Sequence, residues 1–424
     1  MKEGMRKYYG VTFLIGLGFF TMGLMDPLYD TYIPIFLTRF ISSKGIIGSI
    51  MTLDNIFALF LIPIVAAMSD KTRTRIGRRM PYILVTLPLS GILFGLIPFS
   101  ALWGLWALIG AIFLLNIFKQ AGRGPIVALM PDTIPGEFRS EANGVINTMG
   151  GIAAIVGTIG LAKLMDVKIN LPGIGPTDEI LSFPVAGILV ILATLALFIF
   201  IREKQRAESS EEKTSIKESL SLVFSGTDKS AVLILISLFL WFLGYQGVLP
   251  FIGLYSKEII GVSSGTAGLS AGMVAIAYAL FAIVSGIIAH KKGRKTTIRA
   301  SLLALTAITL ILSLHPYVSR ILGFSQLSML ISFFVLLFIF GTFWVSVVTN
   351  SFPMLWQMAS YDDMGIYTGL YYTFSQGAAI TAPPITGFII DLFGFQGIFV
   401  FASVCMFAAF LVMGKVTGGE ASGS

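Results

Sequence analysis

Residues 143–166 read NGVINTMGGIAAIVGTIGLAKLMD, and residues 368–391 read TGLYYTFSQGAAITAPPITGFIID. At a constant offset of 225, Gly144 pairs with Gly369, Thr148 with Thr373, Ala153–Ile155 with Ala378–Ile380, and Asp166 with Asp391. Pro131 and Pro353 each stand shortly before these segments. A second echo lies upstream of each copy. AAMSDKTRTRIGRRMP (66–81) and GIIAHKKGRKT (286–296) both set a glycine and two basic residues, Gly77-Arg78-Arg79 and Gly293-Arg294-Lys295, before the next apolar run. Self-similarity at a long period marks a repeated structural unit. Here the unit is half the chain.

Composition identifies the solvent of these repeats. Of 424 residues, 55% are apolar and 12% are Asp, Glu, Lys or Arg. Soluble proteins carry about 25% charged residues, so a water-facing fold of this size lacks the polar surface it needs. A membrane crossing takes about 20 apolar residues. Spans are expected at 9–37, 45–68, 81–100, 104–130, 142–165, 182–201, 230–254, 265–289, 297–314, 327–349, 365–391 and 396–414. The first run is long enough to span and lacks a small-residue cleavage site, so it is read as a retained helix. The fold class is an all-α membrane protein of twelve transmembrane helices. Soluble enzymes and nucleic-acid binders are excluded.

Basic residues set the expected orientation. With the N-terminus inside, 23 of the 29 Lys and Arg fall on the inner side; only Arg39, Lys44, Lys163, Lys168, Lys257 and Arg320 fall outside. That bias places both termini in the cytoplasm. The one long charged segment, Arg202–Lys229, divides the chain into an N-terminal lobe (1–201) and a C-terminal lobe (230–424). Its first part reads as a solvated linker, and TSIKESLSLVF as a short amphipathic helix on the inner surface.

A buried carboxylate is costly unless paired, hydrated or protonated, so an acid within a span is a functional candidate. Asp26 lies 17 residues into the first span, about 25 Å along a helix. Asp30 is one turn further on the same face, and Pro27 removes a backbone donor between them. Asp54 falls about ten residues into the second span. These three are assigned to cation coupling. On the fourth span, Asn116, Lys119, Gln120 and Arg123 form one helical stripe. It should face a wet cavity, with Lys119 or Arg123 paired to Asp54 or Asp26. Protonation of the acid would then release the base to substrate. Asn143 and Asn147 form a further one-turn pair, while Gly150, Gly151, Gly157 and Gly160 are expected to serve close helix packing.

The C-half offers neutral groups instead: Trp241, Tyr245 and Gln246 on the seventh span, Trp344 and Asn350 on the tenth, and Tyr371, Tyr372, Ser375 and Gln376 on the eleventh. Aromatic faces stack on a sugar ring and amides satisfy its hydroxyls. A division of labour is expected, the N-half handling the cation and the C-half supplying stacking and hydrogen bonds. At the inner ends, Asp70 is expected to hold Arg78 and Arg79, with Gly77 making the tight turn that aims them. With Gly293, Arg294 and Lys295 of the second copy, these form the candidate gate.

There is one cysteine, Cys405, and two histidines, His290 and His315, which leaves no disulfide, no Cys-based metal site and little scope for a catalytic triad. No phosphate-binding GxxxxGK[ST] loop occurs. No cofactor and no enzymatic activity are expected.

The loop GIIAHKKGRK resembles the inner-loop signature of the major facilitator superfamily, with His290 where that family usually has Asp. DKTRTRIGRRMPYIL resembles the longer form seen in sugar:cation symporters. RGPIVALMPD…FRSEANGVIN is similar to the same group, particularly bacterial relatives of sucrose, α-glucoside and glycoside–pentoside–hexuronide carriers. The resemblance covers essentially the whole chain. It implies two pseudo-symmetric six-helix lobes and secondary active uptake of a sugar with H+ or Na+, by alternating access, by a monomer in the cell's inner (plasma) membrane. It also supports a role for Arg123, although plant members carry that arginine one turn later, where this chain has Val127. Two other readings stay open: an efflux carrier of the same fold for drugs or metabolites, and a non-transporting membrane sensor.

Overall fold

The computed structural model describes residues 8–135, 138–201, 229–358 and 364–419. The amphipathic helix expected within 202–229 lies outside them. The main helices are α1 (Tyr9–Leu37), α2 (Lys44–Met51), α3 (Leu53–Lys71), α4 (Met80–Trp103), α5 (Leu105–Thr133), α6 (Arg139–Ile155), α7 (Ser182–Phe200), α8 (Ser230–Val248), α9 (Ser264–Lys292), α10 (Arg294–Ile321), α11 (Gln326–Trp356), α12 (Met364–Phe393) and α13 (Gly397–Gly414). Eleven segments among the described residues are long and apolar enough to cross a membrane. The twelfth is α12. Its 30 residues would reach about 45 Å, but Thr373, Ser375, Gln376, Thr381, Pro383 and Pro384 dilute its apolar character.

Large apolar side chains on the outside agree with a lipid surround. Ile283, Ile321 and Trp106 are each more than three-quarters exposed, and such a surface in water would be an aggregation liability. Proline is frequent within these helices: α1 runs unbroken through Pro27 and Pro34, and α5 contains Pro125 and Pro131. Neighbouring helices and Ser/Thr side chains re-satisfy the freed carbonyls in such settings.

Three local features depart from the expected spans. The second span is two helices, with Thr52 between α2 and α3; its hydroxyl donates to the Ser49 carbonyl and its N–H turns back to Gly48 and Ile50. Asp54 therefore stands in the first turn of α3, where a carboxylate meets the positive end of the helix dipole. The fifth span widens into a π-turn at Val156–Leu161 and tightens at Ala162–Asp166. Beyond it, β1 (Ile169–Leu171) and β2 (Gly175–Thr177) pair antiparallel in a small hairpin.

The chain forms two compact units. One draws its described residues from Met1–Ser42, Leu53–Ser209 and Val262–Gly272; the other from Ser43–Thr52, Ser210–Gly261 and Met273–Ser424. Each unit thus includes a short segment from the opposite half of the sequence. In the first, α1 packs on α6 and α7, α4 on α5 and α7, and α3 on α5. Phe183 anchors its core, stacked on Phe94 at 4.7 Å and flanked by Phe36 at 5.4 Å. In the second, α8 packs on α12 and α13, and α10 on α11 and α13. Tyr255 is buried there between Phe333 and Phe399, 5.3 and 5.0 Å away.

Of the glycines expected to allow close packing, Gly157 does so: a Cβ there would meet the Leu24 oxygen at 3.0 Å. The close approach of α1 to α6 instead requires Gly23, where a Cβ would meet the Gly150 carbonyl oxygen at 2.3 Å. A Cβ at Gly150 would meet only the Phe19 oxygen at 3.7 Å, Gly151 faces open space and Gly160 meets only Val156, so the expectation fails for these three.

Candidate functional site

The polar groups of the first unit converge on Lys119. Its position on α5 follows from the stripe spacing, and α5 is held between α3 and α4. Lys119 Nζ donates to Asp26 Oδ1 of α1 at 2.9 Å and lies 3.1 Å from Asp54 Oδ1 of α3. It sits 4.7 Å over the Tyr29 ring, a cation–π contact that further offsets its burial. Arg123, one turn along α5, lies 3.9 Å from Asp26 Oδ2. Gln120 Nε2 donates to Asp54, and Asn116 Nδ2 to the Tyr29 hydroxyl at 2.8 Å.

Burial grades across the cluster. The Lys119 side chain is 3% exposed and that of Asp54 16%, whereas Asp26 is 32% and Arg123 41% exposed. A buried ion pair that loses one partner is strongly destabilised. The exposed flank at Asp26 and Arg123 is where an incoming polar group can compete. Asp30 is half-buried and makes no hydrogen bond or ion pair among the described contacts. The carbonyl oxygens Gln120 Oε1 and Asn116 Oδ1 are buried without a hydrogen-bond partner. Asn143 and Asn147 are exposed on α6, apart from this cluster in the contacts described.

In the second unit Tyr245, Trp344, Tyr371 and Tyr372 are linked by ring contacts through Phe242, and they differ in exposure. Tyr245 and Trp344 stack at 4.2 Å with planes 9° apart. Phe242 meets Trp344 edge-on at 5.5 Å. Trp241, however, is fully buried in the packing of α8, and its indole nitrogen has no partner. Asn350 is buried as well, donating to Ser285 Oγ at 2.9 Å and to the Ser346 carbonyl. Tyr371 is buried against Ser351 and Phe352. Tyr372 is 62% exposed, and Gln246 and Gln376 are half-buried. Spacing identified the stripe; it did not separate the packed members from the accessible ones.

The candidate gate is an ionic bracket at the ends of α3, α4 and α5. Arg79, 4% exposed, reaches Asp70, Ser69 Oγ (2.5 Å), the Ala66 carbonyl (3.0 Å) and Asp132 Oδ2 (2.8 Å). Arg78 pairs with the same Asp132, its Nε at 3.0 Å. Gly77 takes φ +112° and Gly293 φ +88°, the left-handed region that side chains rarely adopt. The tight turn was expected at Gly77; Gly293 shares it. Asp132 was missed. It stands right after Pro131 in a segment read only as span end and family resemblance, although two arginines nearby called for a second carboxylate. The second copy differs: Arg294 donates to the Pro353 carbonyl at 3.4 Å and Lys295 to the Val416 carbonyl. There His290 replaces Asp70, and Met354, after Pro353, replaces Asp132.

The repeat-related acids do the same job in the two units. Asp166 accepts from Ser263 Oγ and Gly265 N, both at 2.8 Å, at the start of α9. Asp391 accepts from Ser43 Oγ (2.5 Å), Lys44 N (2.7 Å) and Gly45 N (3.0 Å) at the start of α2. Each satisfies helix N–H groups that lack an internal partner. Loss of a side-chain cap costs about 1 kcal/mol. Asp166→Ala and Asp391→Ala should each lower thermal stability in detergent modestly. Because the caps lie in different units, the double variant should show the sum; a double variant no worse than either single would refute independent capping.

The family model described as Major Facilitator Superfamily matches residues 11–383. The chain is 25% identical over 248 residues to an isoprimeverose transporter of Lactiplantibacillus pentosus, covering 55% of this chain and 50% of that one. The chain thus spans half the length of that relative. It is also 25% identical over 309 residues to a class H tetracycline resistance protein of Pasteurella multocida, covering 69% and 68%. Among solved structures, it is similar to a bacterial homologue of the human lysosomal transporter Spinster in an inward-facing, unoccupied conformation. That match has a TM-score of 0.75 and 14% identity, with full coverage of both chains.

Proposed function

Because the chain belongs to the Major Facilitator Superfamily and is a multi-pass membrane protein with that superfamily's fold, we propose that it takes up a sugar, a glucoside or small oligosaccharide, together with H+ or Na+ by alternating access. The single observation that carries this reading is the buried Asp26–Lys119–Asp54 cluster, open on one flank at Arg123. Ionisable groups within a bundle mark solute and ion pathways and proton relays. In a carrier that couples two solutes, neutralising one acid changes which groups are free for the other solute. The likeness to an isoprimeverose transporter supports a sugar as that solute.

In this reading Asp26, Asp30 and Asp54 couple the cation and Arg123 is the candidate for sugar hydroxyls, while Tyr245, Tyr372, Gln246 and Gln376 are candidates for stacking on a ring and bonding its hydroxyls, with Trp344 backing Tyr245. Gln120 holds Asp54. Asn116, Trp241, Asn350 and Tyr371 hold these groups in place. The lobes are 1–201 and 230–424, joined by 202–229. Both termini face the cytoplasm, the membrane is the plasma membrane, and the unit of transport is a monomer. A second reading, export of a drug or metabolite, is favoured by the likeness to a tetracycline resistance protein.

Counterflow in proteoliposomes separates these readings. A panel of labelled sugars is loaded, with Na+ and pH varied separately. Exchange of a glucoside or oligosaccharide is the expected result. Exchange of none, alongside transport of tetracycline-like compounds, would replace the sugar reading with the second one.

A further inference from the structure

We propose that the coupling ion is the proton, one per cycle, and that Lys119 is a resident cation filling the place between Asp26 and Asp54 that a sodium ion would need. This rests on the reading of the cluster as a coupling site. Three features carry it. The first is position. An ammonium 2.9 Å from one carboxylate and 3.1 Å from the other bridges them as a bound monovalent cation would, and it is tethered to α5. A free ion entering there must displace a lysine that is 3% exposed.

The second is charge. Asp26 and Tyr29 meet Lys119 from α1, where Asp30 one turn on lies within electrostatic reach without bonding it; Asp54 meets it from α3, and Arg123 stands beside it on α5. Three carboxylates against two fixed cations leave one formal negative charge. A single proton brings the cluster to neutrality, the state in which it is least costly to carry across a membrane. The O–H bond forms with a proton taken from water on one side and breaks when the proton returns to water on the other; no other reactant is involved.

The third is Gln120. Its amide donates to Asp54 while its own carbonyl oxygen is buried and unpartnered. An amide offers both roles. Turned by half a rotation, the same side chain accepts from a protonated Asp54, so the partner of that acid serves both states without moving the backbone.

The test is direct Na+ binding by the purified full-length protein, read by 22Na+ retention at constant ionic strength, in wild type and in Lys119→Ala. Wild type should bind no Na+ saturably. Lys119→Ala, with two acids and a vacated gap, should gain a saturable site. Saturable binding by wild type overturns the proposal even if the variant does not fold; a folded variant without a gained site overturns it as well. In proteoliposomes, a pH gradient and not a Na+ gradient should drive sugar accumulation. Accumulation driven by Na+ alone would sink the inference and leave the sugar reading standing. Absence of any sugar counterflow would sink the sugar reading, while the Na+ binding result still decides the role of Lys119.

Discussion

Asp132→Ala is expected to cost about 3 kcal/mol, the lower end of the range for breaking a buried ion pair from one side. Asp132 is the acceptor shared by Arg78 and Arg79. Without it, the described contacts of the buried Arg79 are with Ser69, the Ala66 carbonyl and an Asp70 whose side chain is 47% exposed. That carboxylate is well screened by water and compensates weakly. Asp70→Ala should therefore cost no more than about 1 kcal/mol, although Asp70 is the residue that the sequence pattern puts forward. Thermal unfolding of the two variants in detergent gives the ranking. Equal losses at Asp70 and Asp132 would show that the bracket is not centred on Asp132.

This asymmetry bears on how far the sequence could be read. The repeat was legible because matched spacings survive divergence: Asp166 and Asp391 lie at the same offset as their glycines, and both close the same kind of helix start. Which helix start each one closes was not legible. A repeat says that two segments share a fold, not that residues 43–52 and 262–272 join units built mainly from the other half. The break at Thr52 was hidden because apolar content runs through it without a proline or a glycine at the break. Lys119 was legible by cost: a lysine within a span must find an acid. Its choice of both Asp26 and Asp54 depends on helix placement. Burial of Trp241 and Asn350 was invisible for the same reason, since spacing along one helix says nothing of which neighbour covers it.

Asp54→Asn should abolish accumulation of sugar against a gradient while counterflow persists in part. The argument is one of charge rather than of a unique proton seat. Asparagine keeps the shape of Asp54 and still takes a hydrogen bond from Gln120. It removes one negative charge, so the cluster is formally neutral with no proton aboard. A carrier that is neutral when empty of its ion has nothing to couple, yet it can still bind and exchange sugar. Lys119→Ala shifts the balance the other way, to two uncompensated charges, and should lose accumulation driven by a pH gradient as well. The combination Lys119→Ala with Asp54→Asn returns the cluster to one negative charge, and accumulation should recover in part. A merely structural role for Lys119 predicts the reverse, a double variant at least as impaired as either single. Wild-type accumulation in Asp54→Asn would remove Asp54 from coupling. Loss of counterflow along with accumulation, in protein that still unfolds cooperatively, would reassign it to sugar binding.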